Sequence, residues 1–152
     1  MRRAAERSVT NLASICGLSV SVEAGTTELA DATAQSKKCT ASGKKAVTVN
    51  PYPTQAAANL ALSGGRAQIS MADSPVAAYQ VKQSKGAFKL VGQSYGVAPY
   101  GIAVPKSDGT LDKAILVALK DLQKNGQYSA ILKKWGIQSG ADTKPALNGA
   151  IS

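Results

Sequence analysis

A regular alternation of strand-like and helix-like segments restricts the fold of this chain more than any other sequence feature. Short runs of alternating apolar and polar residues predict strands, and the first three runs are each followed by a segment that opens with a helix-capping residue. Such alternation predicts an α/β fold, in which a three-layer, mostly parallel sheet is flanked by helices and followed by a C-terminal helical tail. The predicted strands cover residues 18–23, 46–50, 68–72, 88–91 and 101–104, and the predicted helices cover about 27–38, 55–62, 75–83, 111–122 and 128–135.

The composition excludes several classes of function. The chain has no histidine in 152 residues, which rules out Ser-His-Asp and Cys-His catalysis and the usual zinc sites. We therefore predict neither a metal nor another cofactor, and the wider expectation of a non-catalytic protein comes from the motifs that resemble a known family. No apolar run approaches the ~18 residues that cross a membrane, so no membrane-spanning segment is predicted.

The net charge of +9 raises the question of a nucleic-acid partner. The basic residues are mostly lysines in scattered pairs, and aromatic residues make up only 5% of the chain. Nucleic-acid surfaces interleave basic and aromatic side chains, and this pattern is missing here. A lysine-decorated surface without a nucleic-acid partner is the better interpretation.

The two cysteines, Cys16 and Cys39, are 23 positions apart. This spacing is not that of a CxxC redox or metal pair, so the pair is either two buried thiols or one disulfide. Both lie at the ends of predicted elements, where a bridge forms without distorting a core. A disulfide is the favoured interpretation and implies an oxidising compartment.

Two strand-to-helix junctions are candidate functional sites, because ligands of such sheets bind at the carboxyl ends of the strands. The first junction runs from Glu23 to Glu28 and contains Gly25, which permits close approach to the start of the next helix. Backbone N–H groups at a helix start, with Thr26 and Thr27 beside them, suit a carboxylate. A simple helix cap is the alternative interpretation.

The second junction contains Asp73, directly after the third predicted strand. Its carboxylate either caps the following helix or faces the edge of the sheet. An anion site beside a fixed carboxylate complements the carboxylate and ammonium groups of an amino acid, so a single class of ligand accounts for both junctions.

Longer motifs in a fixed order then identify a family. They are VSVEAGTTE, NLALSGGRAQISMADSPVAAY, APYGIAVPK and LVALKDLQKNGQYSAILKKWGI. Over roughly residues 9–150 the chain resembles the polar amino-acid solute-binding proteins of ABC importers (family 3). The resemblance implies a type II periplasmic-binding fold, of which this chain carries the second lobe and the C-terminal segment.

The resemblance also implies roles for individual residues. Gly25, Thr26 and Thr27 would hold the α-carboxylate of the ligand, and Asp73 would hold its α-ammonium. Glu23 matches a position that often faces the ligand side chain, where a carboxylate favours a cationic amino acid; a solvated glutamate at a strand end is the other interpretation. Glu28 completes the predicted ligand-binding set.

The resemblance has further implications for the cysteines, the partner protein and the location of this protein. The family resemblance implies that Cys16 pairs with Cys39, that the partner is an ABC permease, and that the protein works in the periplasm or outside the cell. The first residues are basic, as in an export signal. Residues 8–19 are nevertheless too polar for its apolar core, so no signal peptide is predicted in this chain.

The family's first lobe, including an arginine that grips the ligand carboxylate, has no counterpart in this chain. The predicted organisation is an extension over residues 1–8, a ligand-binding lobe over 9–99, a crossover strand and helices over 100–136, and a tail over 137–152. We therefore expect weak or partner-dependent binding and a possible homodimer through the C-terminal helices. The alternatives are a dimerising scaffold with vestigial binding and a dehydratase on the same fold.

Overall fold

The chain forms two compact units, Met1–Gln93 and Ser94–Ser152, in a computed structural model that describes residues 1–3 and 9–149. The first unit contains five strands, β1 (Arg2–Arg3), β2 (Ser19–Glu23), β3 (Thr48–Tyr52), β4 (Ile69–Ser70) and β5 (Phe88–Lys89). They form one sheet in the order β3-β2-β4-β1-β5. Strand β2 runs parallel to both β3 and β4, whereas β1 is antiparallel to β4 and β5.

Three helices connect the strands of this unit, and a short 3-10 turn, Leu12–Ile15, precedes β2. Thr26 and Thr54 are the N-caps of the first two helices, and each side chain accepts a hydrogen bond from a backbone N–H of the first turn. The mixed α/β architecture with a largely parallel sheet confirms the predicted fold class. The helices are α1 (Thr27–Ala41), α2 (Gln55–Ser63) and α3 (Ser74–Gln83).

The core of the first unit lies on both sides of β2. Val20 and Val22 are fully buried, and so is Ser21 between them, because β2 pairs with a strand on each side and is covered by helices. A second cluster of buried residues joins Met1, Leu62 and Ala77. At ~25 cal/mol per Å² of buried apolar surface, these two clusters supply the main driving force for folding of the unit.

Strand β3 extends two residues further than the sequence predicts. The predicted strand ends before Pro51, but the observed one runs from Thr48 through Pro51 to Tyr52. Proline lacks the N–H that a central strand needs, and β3 lies at the edge of the sheet. An edge position leaves one side of the backbone without a partner strand, so the missing donor costs little there.

The first residues of the predicted extension over 1–8 are part of the sheet, as strand β1, and residues 4–8 of that extension lie outside the described residues. Arg2 pairs with Ile69 on one side and with Lys89 on the other. Met1 is buried, and its amino group donates a 2.6 Å hydrogen bond to the carbonyl oxygen of Ser70. A two-residue strand carries no recognisable periodicity, so only the tertiary structure reveals this pairing.

The buried amino group of Met1 predicts a pH-dependent stability. Burial lowers the pKa of this amine from 8.0 to about 6, because the charged form loses its hydration. Between those two values the unfolded chain binds more protons than the folded chain, so the free energy of unfolding rises as the pH rises from about 6 to 8, by roughly 2–3 kcal/mol. Urea titrations across this range measure the rise. The chain has no histidine to obscure it.

Acetylation of Met1 provides the control, because an amide does not titrate. The acetylated chain should unfold with the same free energy at both ends of this pH range. An equal pH dependence in the two forms would contradict the assignment to Met1.

The second unit is helical. Helix α4 (Leu111–Lys124) is followed by α5 (Gln127–Trp135), and the two pack against each other. Gly126 separates them with a φ of +80°, a conformation that residues with a side chain rarely adopt. Both predicted helices of the tail are therefore confirmed. Short 3-10 turns at Lys106–Asp108 and Gln138–Gly140 flank the pair.

The strand predicted over residues 101–104 is wrong, because these residues have no regular secondary structure. A strand forms only where a neighbouring strand satisfies its backbone groups, and the described part of the second unit contains no strand. Within the predicted tail of residues 137–152, the backbone of Asp142 is attached at two points. Its N–H donates to the hydroxyl oxygen of Tyr128 at 2.9 Å, and its carbonyl accepts from the amide of Gln123 at 2.6 Å.

Candidate functional site

Three strand-to-helix junctions meet at one edge of the sheet in the first unit, the edge formed by the carboxyl ends of β2, β3 and β4. The register pairs Val20 with Ile69 and Ser21 with Ser70. Beyond this ladder, the N–H of Met71 still donates to the carbonyl of Ser21 at 3.1 Å. This register carries the chain toward Asp73 alongside the end of β2, so the two junctions singled out in the sequence are neighbours. We call this edge the site edge.

The first junction exposes the start of α1. Gly25 has a φ of +77°, and a Cβ placed on it would meet no atom within 4 Å, so the backbone here is open to an approaching molecule. The hydroxyl of Thr26 donates to the carbonyl of Glu23 at 2.8 Å and accepts from the N–H of Leu29 at 3.4 Å. Thr26 is thus the N-cap, and the positive end of the α1 dipole points to the site edge.

Thr27 and Glu28 form the first turn of α1 beside this cap. The hydroxyl of Thr27 donates to a carboxylate oxygen of Glu28 at 3.3 Å. A further hydrogen bond of 2.8 Å runs from the N–H of Ala24 to the carbonyl of Tyr52. This bond fixes the first junction to the end of the neighbouring strand β3, so the loop has a defined position.

The second junction places Asp73 at the start of α3. Asp73 occupies the N-cap position, but its side chain makes no capping hydrogen bond. The residue is exposed, and Pro75 in the first turn removes one of the N–H groups that a cap would serve. A role of Asp73 toward a ligand stays a prediction.

A buried polar network lies behind the site edge, and no sequence pattern predicts it. The amide of Gln55 donates to Asn59 at 2.9 Å and to Ser70 at 3.3 Å, and Ser70 also donates to Asn59 at 3.3 Å. Ser21 donates to the carbonyl of Ala58 at 2.9 Å. These bonds fasten α2 to β2 and β4. Serines in two separate strand-like runs give no sign that they share a partner helix.

The two cysteines form a disulfide, as the sequence predicts, with Cα atoms 5.7 Å apart. The bridge lies at the opposite end of the sheet from the site edge, because Cys16 precedes β2 and Cys39 lies in the last turns of α1. The amide of Gln35 donates to the sulfur of Cys39 at 3.4 Å and to that of Cys16 at 3.8 Å. The disulfide therefore joins the segment before β2 to α1.

The described residues contain neither a metal-binding cluster nor a membrane-spanning helix. Within residues 1–3 and 9–149, no group of three or more cysteine, aspartate or glutamate side chains is arranged to hold a metal ion. In the same ranges, no helix combines the length and the apolar character that crossing a bilayer requires.

The chain is similar in sequence to known amino-acid-binding proteins. No protein-family model matches the chain. Over 134 residues the chain is 37% identical to the arginine-binding protein ArgT of Corynebacterium glutamicum, a match that covers 88% of this chain and 44% of that protein. Over 88 residues it is 32% identical to the ABC transporter glutamine-binding protein GlnH of Bacillus subtilis, covering 58% of this chain and 32% of that protein.

Solved structures of amino-acid-binding proteins also superimpose on this chain. An ancestral arginine-binding protein bound to arginine superimposes with a TM-score of 0.65 at 30% identity, over 88% of this chain and 57% of that chain. An ancestral arginine-binding protein bound to glutamine gives a TM-score of 0.63 at 31% identity, over 90% of this chain and 57% of that chain. The chain spans less than half the length of the curated relatives it matches.

Proposed function

We propose that this chain is part of an amino-acid solute-binding protein of an ABC importer and that its first unit binds an amino acid at the site edge. The observation that carries the proposal is the parallel pairing of β2 with β4. This pairing brings the open start of α1 and the carboxylate of Asp73 to neighbouring positions at one edge. An amino acid has the complementary pair of charges on one carbon atom.

The α-carboxylate would bind at the first junction. The first N–H groups of α1 have no partner within the helix, and they concentrate the positive end of its dipole. Gly25 leaves this backbone accessible. The hydroxyl of Thr27 lies beside these N–H groups and would donate to the ligand after leaving its 3.3 Å hydrogen bond to Glu28, whereas Thr26 would hold the cap that orients them.

The α-ammonium would bind Asp73. A charge-assisted hydrogen bond between an ammonium and a carboxylate is about twice as strong as a neutral one. Its exposed position at the start of α3, beside the first junction, supports this assignment.

The charges at the site edge favour a cationic ligand side chain. Every described acidic residue of the first unit lies at this edge or in the first two turns of α1, and no described lysine or arginine of that unit lies there. The arginine-binding relatives support this preference, although glutamine-binding proteins are also among the matches. Glu23 is the residue assigned to the ligand side chain. The four acidic residues are Glu23, Glu28, Asp31 and Asp73.

Calorimetry with arginine, lysine and glutamine tests the proposal. We expect arginine and lysine to bind more tightly than glutamine, and Glu23→Gln to reduce that preference by about tenfold, because one charge-assisted contact is worth roughly 1.5 kcal/mol. Asp31→Asn is the matched control, since it removes the same charge from the second turn of α1, further from the end of β2, and should lower the preference less. A tighter complex with glutamine, or equal effects of the two variants, would contradict the role of Glu23.

The affinity of this chain alone should be low. Gly25, Thr27 and Asp73 are exposed, so an amino acid held at the site edge alone keeps much of its surface in water. A second surface that covers the ligand would raise the affinity. We further propose that the protein delivers its ligand to an ABC permease outside the cytoplasm, a setting that the disulfide supports. A homodimer through α4 and α5 stays a prediction.

A further inference from the structure

The charges of the first unit are separated between the two ends of its sheet. Each helix runs back from the site edge, so the C-terminal ends of the helices and the turns before the next strands lie at the opposite end. Strand β5 begins at that end too, because β4 and β5 are both antiparallel to β1. We call this end the basic edge. Apart from Lys82 in the last turn of α3, its exposed charged residues are Lys37, Lys38, Lys44, Lys45, Arg66, Lys85 and Lys89.

Among the described residues, the charged side chains of the basic edge have one sign and extend across the sheet. Lys44 and Lys45 precede β3 at one side of the sheet, whereas Lys85 precedes β5 at the other. Five strands at a spacing of ~4.8 Å make this edge roughly 20 Å wide. No described aspartate or glutamate of the unit lies at this end. Such a width exceeds the size of a small anion and matches an extended anionic surface.

The disulfide holds part of this edge in place. Cys39 lies one residue after Lys38 and is bonded to Cys16, which precedes β2. The side-chain stem of Lys45 packs beside Gly17, where an added Cβ would be 3.4 Å from the Cβ of the lysine. These contacts fix the backbone that presents four of the lysines, so little backbone order would be lost when they contact a partner.

We propose that the basic edge binds an anionic membrane surface. Six of the seven basic residues are lysines, which act as point charges and lack the planar fork with which arginine recognises individual phosphates or carboxylates. One leucine near this edge, Leu60 in α2, is 63% exposed. Lysines around an exposed leucine are typical of surfaces that rest on lipid headgroups. The aromatic residue beside Lys89, Phe88, packs against the cluster of Met1, Leu62 and Ala77 rather than standing free to stack on bases, which disfavours a nucleic acid.

Flotation of the full chain with lipid vesicles tests the proposal. The chain should float with vesicles that contain phosphatidylglycerol, should not float with pure phosphatidylcholine, and should dissociate as the ionic strength approaches ~1 M, where charges are screened within about 3 Å. The variant Lys37→Gln, Lys38→Gln, Lys44→Gln, Lys45→Gln should lose at least about tenfold in partitioning, because each lysine contributes separately at a charged surface.

The matched control removes the same charge from the second unit, by Lys113→Gln, Lys120→Gln, Lys124→Gln and Lys133→Gln. This control should float almost as well as the parent chain. Circular dichroism verifies folding, and Lys85→Gln with Lys89→Gln provides a second test should the fourfold variant unfold. Equal losses in both sets, absence of flotation with phosphatidylglycerol, or binding to duplex DNA without binding to vesicles would overturn the proposal.

Discussion

Replacement of Asp73 by asparagine is expected to lower the affinity for a cationic amino acid by roughly tenfold to a hundredfold, as measured by calorimetry with arginine. The substitution keeps the size and shape of the side chain but removes the charge that would pair with the α-ammonium. A hydrogen bond to a charged group contributes about 1.5–3 kcal/mol, which sets this range. Urea titration of the variant separates a loss of affinity from a loss of stability.

Asp31→Asn again provides the matched control for charge. Asp31 lies in α1 of the same unit. Its replacement therefore changes the net charge by the same amount as Asp73→Asn but leaves the second junction intact. Arginine amide, which lacks the carboxylate, separates the two ends of the ligand, since its affinity should fall even with Asp73 present. If Asp73→Asn and Asp31→Asn reduced the affinity equally, the assigned role of Asp73 would be refuted.

Removal of the disulfide by Cys16→Ser and Cys39→Ser should lower the free energy of unfolding by roughly 3 kcal/mol. The bridge closes a loop with a sequence separation of 23, and the entropy that the unfolded chain regains accounts for most of this loss. The buried position of Cys39, which is 1% exposed, adds to the cost because a serine hydroxyl there needs a hydrogen-bond partner. Denaturation by urea measures the difference.

The parent chain in a reducing agent is the control for this experiment. Reduction removes the bond without placing hydroxyl groups in the core, so the reduced parent should lie between the oxidised parent and the double serine variant. Gln35 donates hydrogen bonds to both sulfurs, and its amide remains a donor in every form. Unfolding free energies that agree within error in all three forms would show that the bridge does not stabilise the unit.

Much of the site was predictable because it depends on local chemistry. The capping role of Thr26 follows from a threonine placed before a helical run, and Gly25 before it indicates a turn with a positive φ. The parallel sheet then places both junctions at one edge, since consecutive β-α units put the carboxyl ends of their strands on the same side. Each of these steps needs only neighbouring residues and the handedness of the chain.

Features that depend on distant residues were not predictable in this way. Arg2 becomes a strand residue only because β4 and β5 leave a gap that its backbone fills, and residues 101–104 stay irregular because no strand lies beside them. The network of Gln55, Asn59 and Ser70 joins positions up to 15 residues apart. None of these partners can be recognised from either segment alone.

The sequence by itself determined the α/β class, the caps, the disulfide partners and the residue types at the two junctions, because periodicity and capping are short-range properties. The tertiary structure decided which ends of the strands are neighbours, whether Asp73 caps its helix, and how the charges are distributed. Strand register and helix direction bring Glu23 and Asp73 to one edge and gather the lysines at the other. Composition records a net charge of +9, but only the fold separates that charge into an acidic site edge and a basic edge.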